Sequence, residues 1–174
     1  VTRFRNLILL IFLTAASSCY KEVELQLDTG AVFELSVTPS MQDQIFDSRD
    51  TSYIIDEPGT LLLLDDQPLD LDNIRVRGKS ALNYRRKSYA VKLNTPILLE
   101  ERDGSGLKEL TRFKLIAMAM DYTYIEERTG FGLLEQQDLM PLFYRFVELR
   151  LNGSTQGLYL LVEDPEQYYL EHGS

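Results

Sequence analysis

Apolar and polar residues alternate with a period of two through much of this chain, and that pattern constrains its fold more than any other feature. It is clearest at Phe146-Val147-Glu148-Leu149-Arg150-Leu151. The Asn152-Gly153 that follows accepts the positive φ of a type I′ turn, and Gln156–Val162 then runs back as a second strand. The same period marks Val23–Leu27, Val32–Val37, the end of Leu69–Val76 with Arg77, and Ser88–Leu93, while Gly59–Leu64 is an apolar strand candidate. Asp28-Thr29-Gly30 and Asp65-Asp66-Gln67-Pro68 read as the turns between such strands. The strands are expected to pair as an antiparallel meander.

Helical signals are fewer. Thr38-Pro39 opens a short helix to about Phe46, with Thr38 as N-cap and Pro39 where its missing N–H costs nothing. Asp121 is placed to cap the main helix, running to about Gln137 with Tyr122, Ile125, Thr129 and Leu133 on one face. Gly130 and Gly132 each weaken that helix by roughly 1 kcal/mol relative to Ala. Another short helix is expected over Pro165–Leu170, and acidic, Gly-rich Glu100–Gly106 reads as a solvated loop. The fold class implied is α+β, an antiparallel sheet with one main helix.

Residues Val1–Cys19 stand outside this pattern. Arg3 and Arg5 precede the apolar run Leu7–Leu13, and Ala16-Ser17-Ser18 lead to the single Cys19. That is the layout of an export signal, with an apolar run too short to span about 30 Å of hydrocarbon. Ala16-Ser17-Ser18-Cys19 resembles a bacterial lipobox, which makes Cys19 the lipid attachment residue and implies an exported, membrane-anchored envelope protein. The organisation expected is a signal over 1–18, strands and a short helix over 19–60, and the main domain over 61–174.

The 174 residues carry a net charge of −9, one Cys and one His. Removing 1–18 takes away two arginines and no acids, leaving −11. One Cys excludes an internal disulfide, and with one His it also excludes a Cys/His zinc site. The acidic balance, with a pI near 4.7, argues against nucleic acid as a partner. His172 lies next to the last residues, a poor position for the base of a catalytic triad, and Asp65-Asp66 is a better turn than a carboxylate dyad.

Against that acidic background, Arg75, Arg77, Lys79, Arg85, Arg86, Lys87 and Lys92 fall in a stretch with no acid between Asn73 and Leu99. Arginine forks, lysine point charges and a backbone made approachable by Gly78 suit a phosphate or another anion. A solvated face paired with the many carboxylates is the competing reading. So is a non-enzymatic surface module that binds an anionic partner through Arg75–Lys92.

Two stretches carry a family resemblance. Ile74-Arg75-Val76-Arg77-Gly78-Lys79-Ser80 with Arg86-Lys87-Ser88-Tyr89-Ala90-Val91-Lys92-Leu93 resembles the opening of the CotH (spore coat protein H) kinase-like family. Leu115–Asp121, Phe146–Gly153 and Gly157–Glu163 resemble its second signature. The resemblance implies an atypical protein kinase that transfers phosphate from ATP to hydroxyls of a protein substrate with a divalent metal, and a fold like a kinase N-lobe. It gives Lys92 the role of the strand lysine that pairs with nucleotide phosphates, and Ala90, on the same face, that of the small residue under adenine. Arg77, Gly78, Lys79 and Ser80 would lie over the phosphates. Glu126 or Glu127 would orient Lys92, and Leu160–Glu163 would lead into the hinge. The family's metal-binding and catalytic aspartates lie on a second lobe, so the chain is expected to be a truncated piece with no catalytic residue of its own.

Overall fold

The computed structural model describes residues 30–50, 53–101, 104–121, 123–137, 139 and 141–172. Cys19, the signal-like segment, the strand expected at Val23–Leu27 and Tyr122 lie outside them. The strands are β1 (Val32–Ser36), β2 (Leu61–Leu64), β3 (Gln67–Pro68), β4 (Leu71–Arg77), β5 (Ser88–Glu100), β6 (Leu107–Ile116), β7 (Tyr144–Leu151) and β8 (Ser154–Glu163). The helices are α1 (Pro39–Asp47), α2 (Glu126–Gln136) and α3 (Pro165–His172), with a 3-10 turn at Ser80–Asn83. The fold is therefore mixed α+β, with few helices.

All the strands belong to one eight-stranded sheet ordered β3-β2-β1-β7-β8-β6-β5-β4. The turn residues behave as their types require: Asp65 and Asp66 take φ of 49° and 64°, and Asn152 and Gly153 take 48° and 74°. The meander expectation holds for β4-β5-β6 and for β7-β8. It fails where β1 lies parallel to β7, with Phe33 opposite Leu149, and where β8 inserts beside β6. Pairings of that kind join segments far apart in sequence and leave no local signature.

Two further expectations are corrected. The strand that opens at Ser88 does not stop at Leu93 but runs to Glu100 through Thr95-Pro96, because the register shifts between Lys92 and Ile97 and proline sits in that irregularity. Its partner β6 had no forecast.

The main helix starts at Glu126 rather than directly after Asp121. Asp121 instead closes a turn: its carboxylate accepts from the Thr123 N–H at 2.9 Å, the Thr123 hydroxyl at 2.7 Å and the Glu126 N–H at 2.8 Å. The later start moves the contact face, leaving Ile125 and Leu133 exposed. Phe131 meets the Tyr144 ring at 5.7 Å between centroids. Gly132 makes close approach possible, since a Cβ there would stand 3.3 Å from the Tyr144 hydroxyl.

The sheet has two unequal faces. One is closed by α1, whose Met41 and Ile45 join Phe33, Leu35, Val91, Phe113 and Leu149 in the main core. Thr38 caps α1 as expected, accepting from the Met41 N–H at 3.2 Å. The other face carries a smaller cluster of Met118, Leu142, Tyr144, Leu160 and Val162 against Phe131 of α2. Beyond that cluster, toward β4, this face bears the charged residues.

Candidate functional site

On the second face, cross-strand pairing sets side chains in rows. Arg75, Ala90, Lys114 and Val162 are successive neighbours across β4, β5, β6 and β8, and Asn73, Lys92 and Arg112 form the adjacent row. The basic pattern read along the chain thus becomes a cationic field across strands, with an apolar border at Val162 of β8.

A cleft of about 1010 Å³ lies between this face and α2. Its cationic side is Arg77, which ends β4, with Gly78 and Lys79 after it and Lys114 from β6. Ile116, Met118, Leu142 and Val162 give an apolar floor, and Glu126, Glu127, Phe131 and Leu134 a helical wall. Gly78 has φ +105°, and a Cβ there would stand 3.2 Å from that of Ala81, so glycine is needed both for the backbone conformation and for the tight approach to the 3-10 turn.

The cations of the basic stretch divide sharply by what they touch. Lys87 is buried and donates to the carbonyls of Ser48 at 3.0 Å and Leu82 at 2.6 Å. Burial, and then the nearby Arg49 charge, push its amine below the usual lysine range, with Asp47 opposing. Arg85 lies 4.5 Å over the Phe46 ring. Arg86 donates to the Leu158 carbonyl and the Tyr124 hydroxyl. Lys92 pairs with Asp72 at 2.5 Å.

The side chains of Arg75, Arg77 and Lys79 have no hydrogen-bond or ion-pair partner among the described residues. Arg77 is half-buried, and loss of solvent pulls its guanidinium below the ordinary arginine value. The charges of Asp164 and Glu127 push back, while Arg75 adds to the pull. A partly desolvated fork with no bonded acceptor is receptive to an anion.

The residues expected to form one site fall into two places. Arg77, Lys79 and Glu127 share the cleft. Lys92 and Ala90 lie in a neighbouring groove of about 490 Å³ with Asp72, Arg75, Arg112 and Glu166. Lys92 is 49% exposed and bound to Asp72 of the adjacent strand, not to a glutamate of α2. Glu163 does not reach the cleft. Its buried carboxylate meets the Lys108 ammonium at 2.8 Å and accepts from the Phe143 N–H at 3.1 Å, while its own N–H donates to the Phe143 carbonyl.

Lys114 and Asp164 were not anticipated. Lys114 pairs with Asp164 at 3.0 Å, and Asp164 also accepts from the Glu166 N–H at the start of α3. Burial alone would raise the Asp164 carboxyl, but that N–H and Lys114 more than offset it and hold it below its ordinary value. The alternation Phe113-Lys114-Leu115 was the available signal, obscured by the acidic loop before it.

The cleft suits a ligand with an anionic end and a flat apolar end. The fit to a divalent metal is different: among the described residues no group of three His, Cys, Asp or Glu could hold one. Asp121, the most buried acid at the cleft, is already engaged with Thr123 and Glu126, and those bonds hold its carboxyl below the usual range. A family model described as CotH kinase protein matches residues 74–173, more than half of the chain and every residue that lines the cleft. No curated protein matches it.

Proposed function

The chain belongs to the CotH kinase protein family, and on that premise we propose that its cleft is the nucleotide-binding part of a CotH-like atypical protein kinase. The observation that carries this reading is Arg77, half-buried and unpartnered, beside the Gly78 turn at the mouth of a cleft with an apolar floor. Arg77 and Lys79 would hold the phosphates, Ile116, Met118, Leu142 and Val162 would take the base, and Glu127 would orient Arg77. ATP, when bound, supplies the phosphoryl group, and a protein hydroxyl is the acceptor class.

The family resemblance gives the phosphate role to Lys92. Geometry favours Arg77 and Lys79, because Lys92 would first have to leave Asp72. The described residues supply cations for phosphate and no ligand set for a divalent ion, so their part is to bind and orient the nucleotide. The Arg3-Arg5 segment, the apolar run and Cys19 support the further proposal that the protein is exported and lipid-anchored.

Calorimetric titration with ATP tests the site. Arg77→Ala should weaken binding about tenfold, as loss of a charge-assisted contact does, and Lys92→Ala by less than about threefold on the same scale. The reverse ranking would move the nucleotide to the Lys92 groove. No binding of ATP by the wild-type chain at millimolar concentration would overturn the reading. Equal, strongly salt-dependent binding of ATP and inorganic triphosphate would instead favour a surface that takes anionic partners without regard to the base, a role open to exposed Arg75.

A further inference from the structure

Arg86 belongs to the basic stretch, but its partners among the described residues are neutral. Its Nη1 donates to the Tyr124 hydroxyl at 2.9 Å and its Nη2 to the Leu158 carbonyl at 2.5 Å. The guanidinium lies 5.8 Å from the centre of the Tyr124 ring and 5.2 Å from that of Tyr159. Gly157, at φ +87°, lies alongside, and a Cβ there would come within 3.7 Å of Nη2. One side chain thus joins the end of the Gly78–Lys87 loop, the backbone of β8 and the segment that leads into α2.

Tyr124 is not a relaxed end of that bridge. It has φ +57°, uncommon for a residue with a bulky side chain. Its N–H donates to the Asp121 carbonyl, and Asp121 in turn holds the Glu126 N–H. A conformation of this sort persists where its surroundings impose it, and Arg86 binds both the hydroxyl and the face of the ring.

The cleft has the Arg77–Lys79 loop on one side and the start of α2, with Glu126 and Glu127, on the other. We propose that Arg86 and Tyr124 are a positioning pair that sets the separation of these two walls, and with it the reach of Arg77 and Lys79 to the phosphates of the bound nucleotide. The proposal rests on the nucleotide reading above. Neither residue touches the nucleotide; both act through the cations and the helix they hold.

Tyr124→Phe is the informative variant, since it removes one hydroxyl and keeps the ring, and Arg86→Lys is its companion. Two measurements apply to each: hydrogen exchange of backbone amides in residues 123–130 against those of β7 and β8, and the affinities for ATP and for adenosine. Exchange in 123–130 should rise about tenfold in Tyr124→Phe with β7 and β8 unchanged. ATP should bind about fivefold more weakly and adenosine equally well, because only the phosphates depend on the spacing of the cations.

A uniform loss of affinity for ATP and adenosine would mark a merely structural role and overturn the proposal. So would unchanged exchange at 123–130, whatever the affinities. A wild-type chain that binds neither ligand would remove the nucleotide reading and the positioning role with it. A wild-type chain that binds ATP as Tyr124→Phe does would remove the positioning role alone.

Discussion

The basic stretch divides at the 3-10 turn into two parts of similar composition and opposite use. Before the turn, the side chains of Arg75, Arg77 and Lys79 have no hydrogen-bond or ion-pair partner among the described residues. After it, Arg85 covers a ring, Arg86 bridges β8 and the approach to α2, Lys87 serves the carbonyls of Ser48 and Leu82, and Lys92 pairs with Asp72. Charge density along a sequence therefore says little about which cations await a ligand. What separates the two parts is whether the fold has already supplied an acceptor.

Lys87 gives the largest test of that division. Lys87→Ala leaves the buried Leu82 carbonyl without its donor, leaves the Ser48 carbonyl to Arg49 alone and opens a void, and should cost about 3 kcal/mol, read as a fall in Tm of about 6–12 °C. Lys87→Met fills the space without donating and should fall between the two.

The depressed amine also sets a pH dependence. Because the folded value lies below the unfolded one, near 10.5, the unfolded chain binds more protons as pH rises between them. The stability of wild type relative to Lys87→Met should therefore climb with pH up to about 10.5 and then level. A flat difference would mean that Lys87 is not held as described.

Arg85→Ala should cost less, about 0.5–1 kcal/mol from loss of the cation–π contact with Phe46, in urea unfolding. Arg77→Gln should change stability least, within about 0.5 kcal/mol, since no acceptor is abandoned, while it weakens ATP as Arg77→Ala does. If Arg77→Gln destabilises as much as Lys87→Ala, the two parts of the stretch are not different in kind.

Much of the local structure was legible. The hairpin of β7 and β8 followed from alternation flanking Asn152-Gly153, and α1 from Thr38-Pro39, because turn and cap chemistry act over a few residues. The approximate span of α2 was also visible, but not its start or its face. Asp121 puts its carboxylate to two uses, one oxygen centring the turn with Thr123 and the other accepting from the Glu126 N–H, so the helix opens four residues further on than a direct cap would place it. Pro96 hid the second half of β5, since a bulge that tolerates proline cannot be told from a strand end without the partner strand.

The site was legible as chemistry and not as geometry. That a cationic strand–loop–strand with Gly78 suits an anion was readable, and Arg77, Lys79 and Glu127, which only the family resemblance brought together, do line one cleft. That Lys92 would meet Asp72, and that Glu163 would turn inward to Lys108, was not, because each depends on a strand neighbour.

By itself the sequence determined the α+β class, the hairpin turns, the first helix and the concentration of positive charge, all consequences of residue types acting on their near neighbours. Only the tertiary structure decided the strand order, the parallel pairing of β1 with β7 and the division of the cations into bound and free. Those outcomes depend on which distant segment arrives alongside, and a carboxylate or carbonyl brought within about 3 Å consumes a cation that local pattern cannot distinguish from its neighbour.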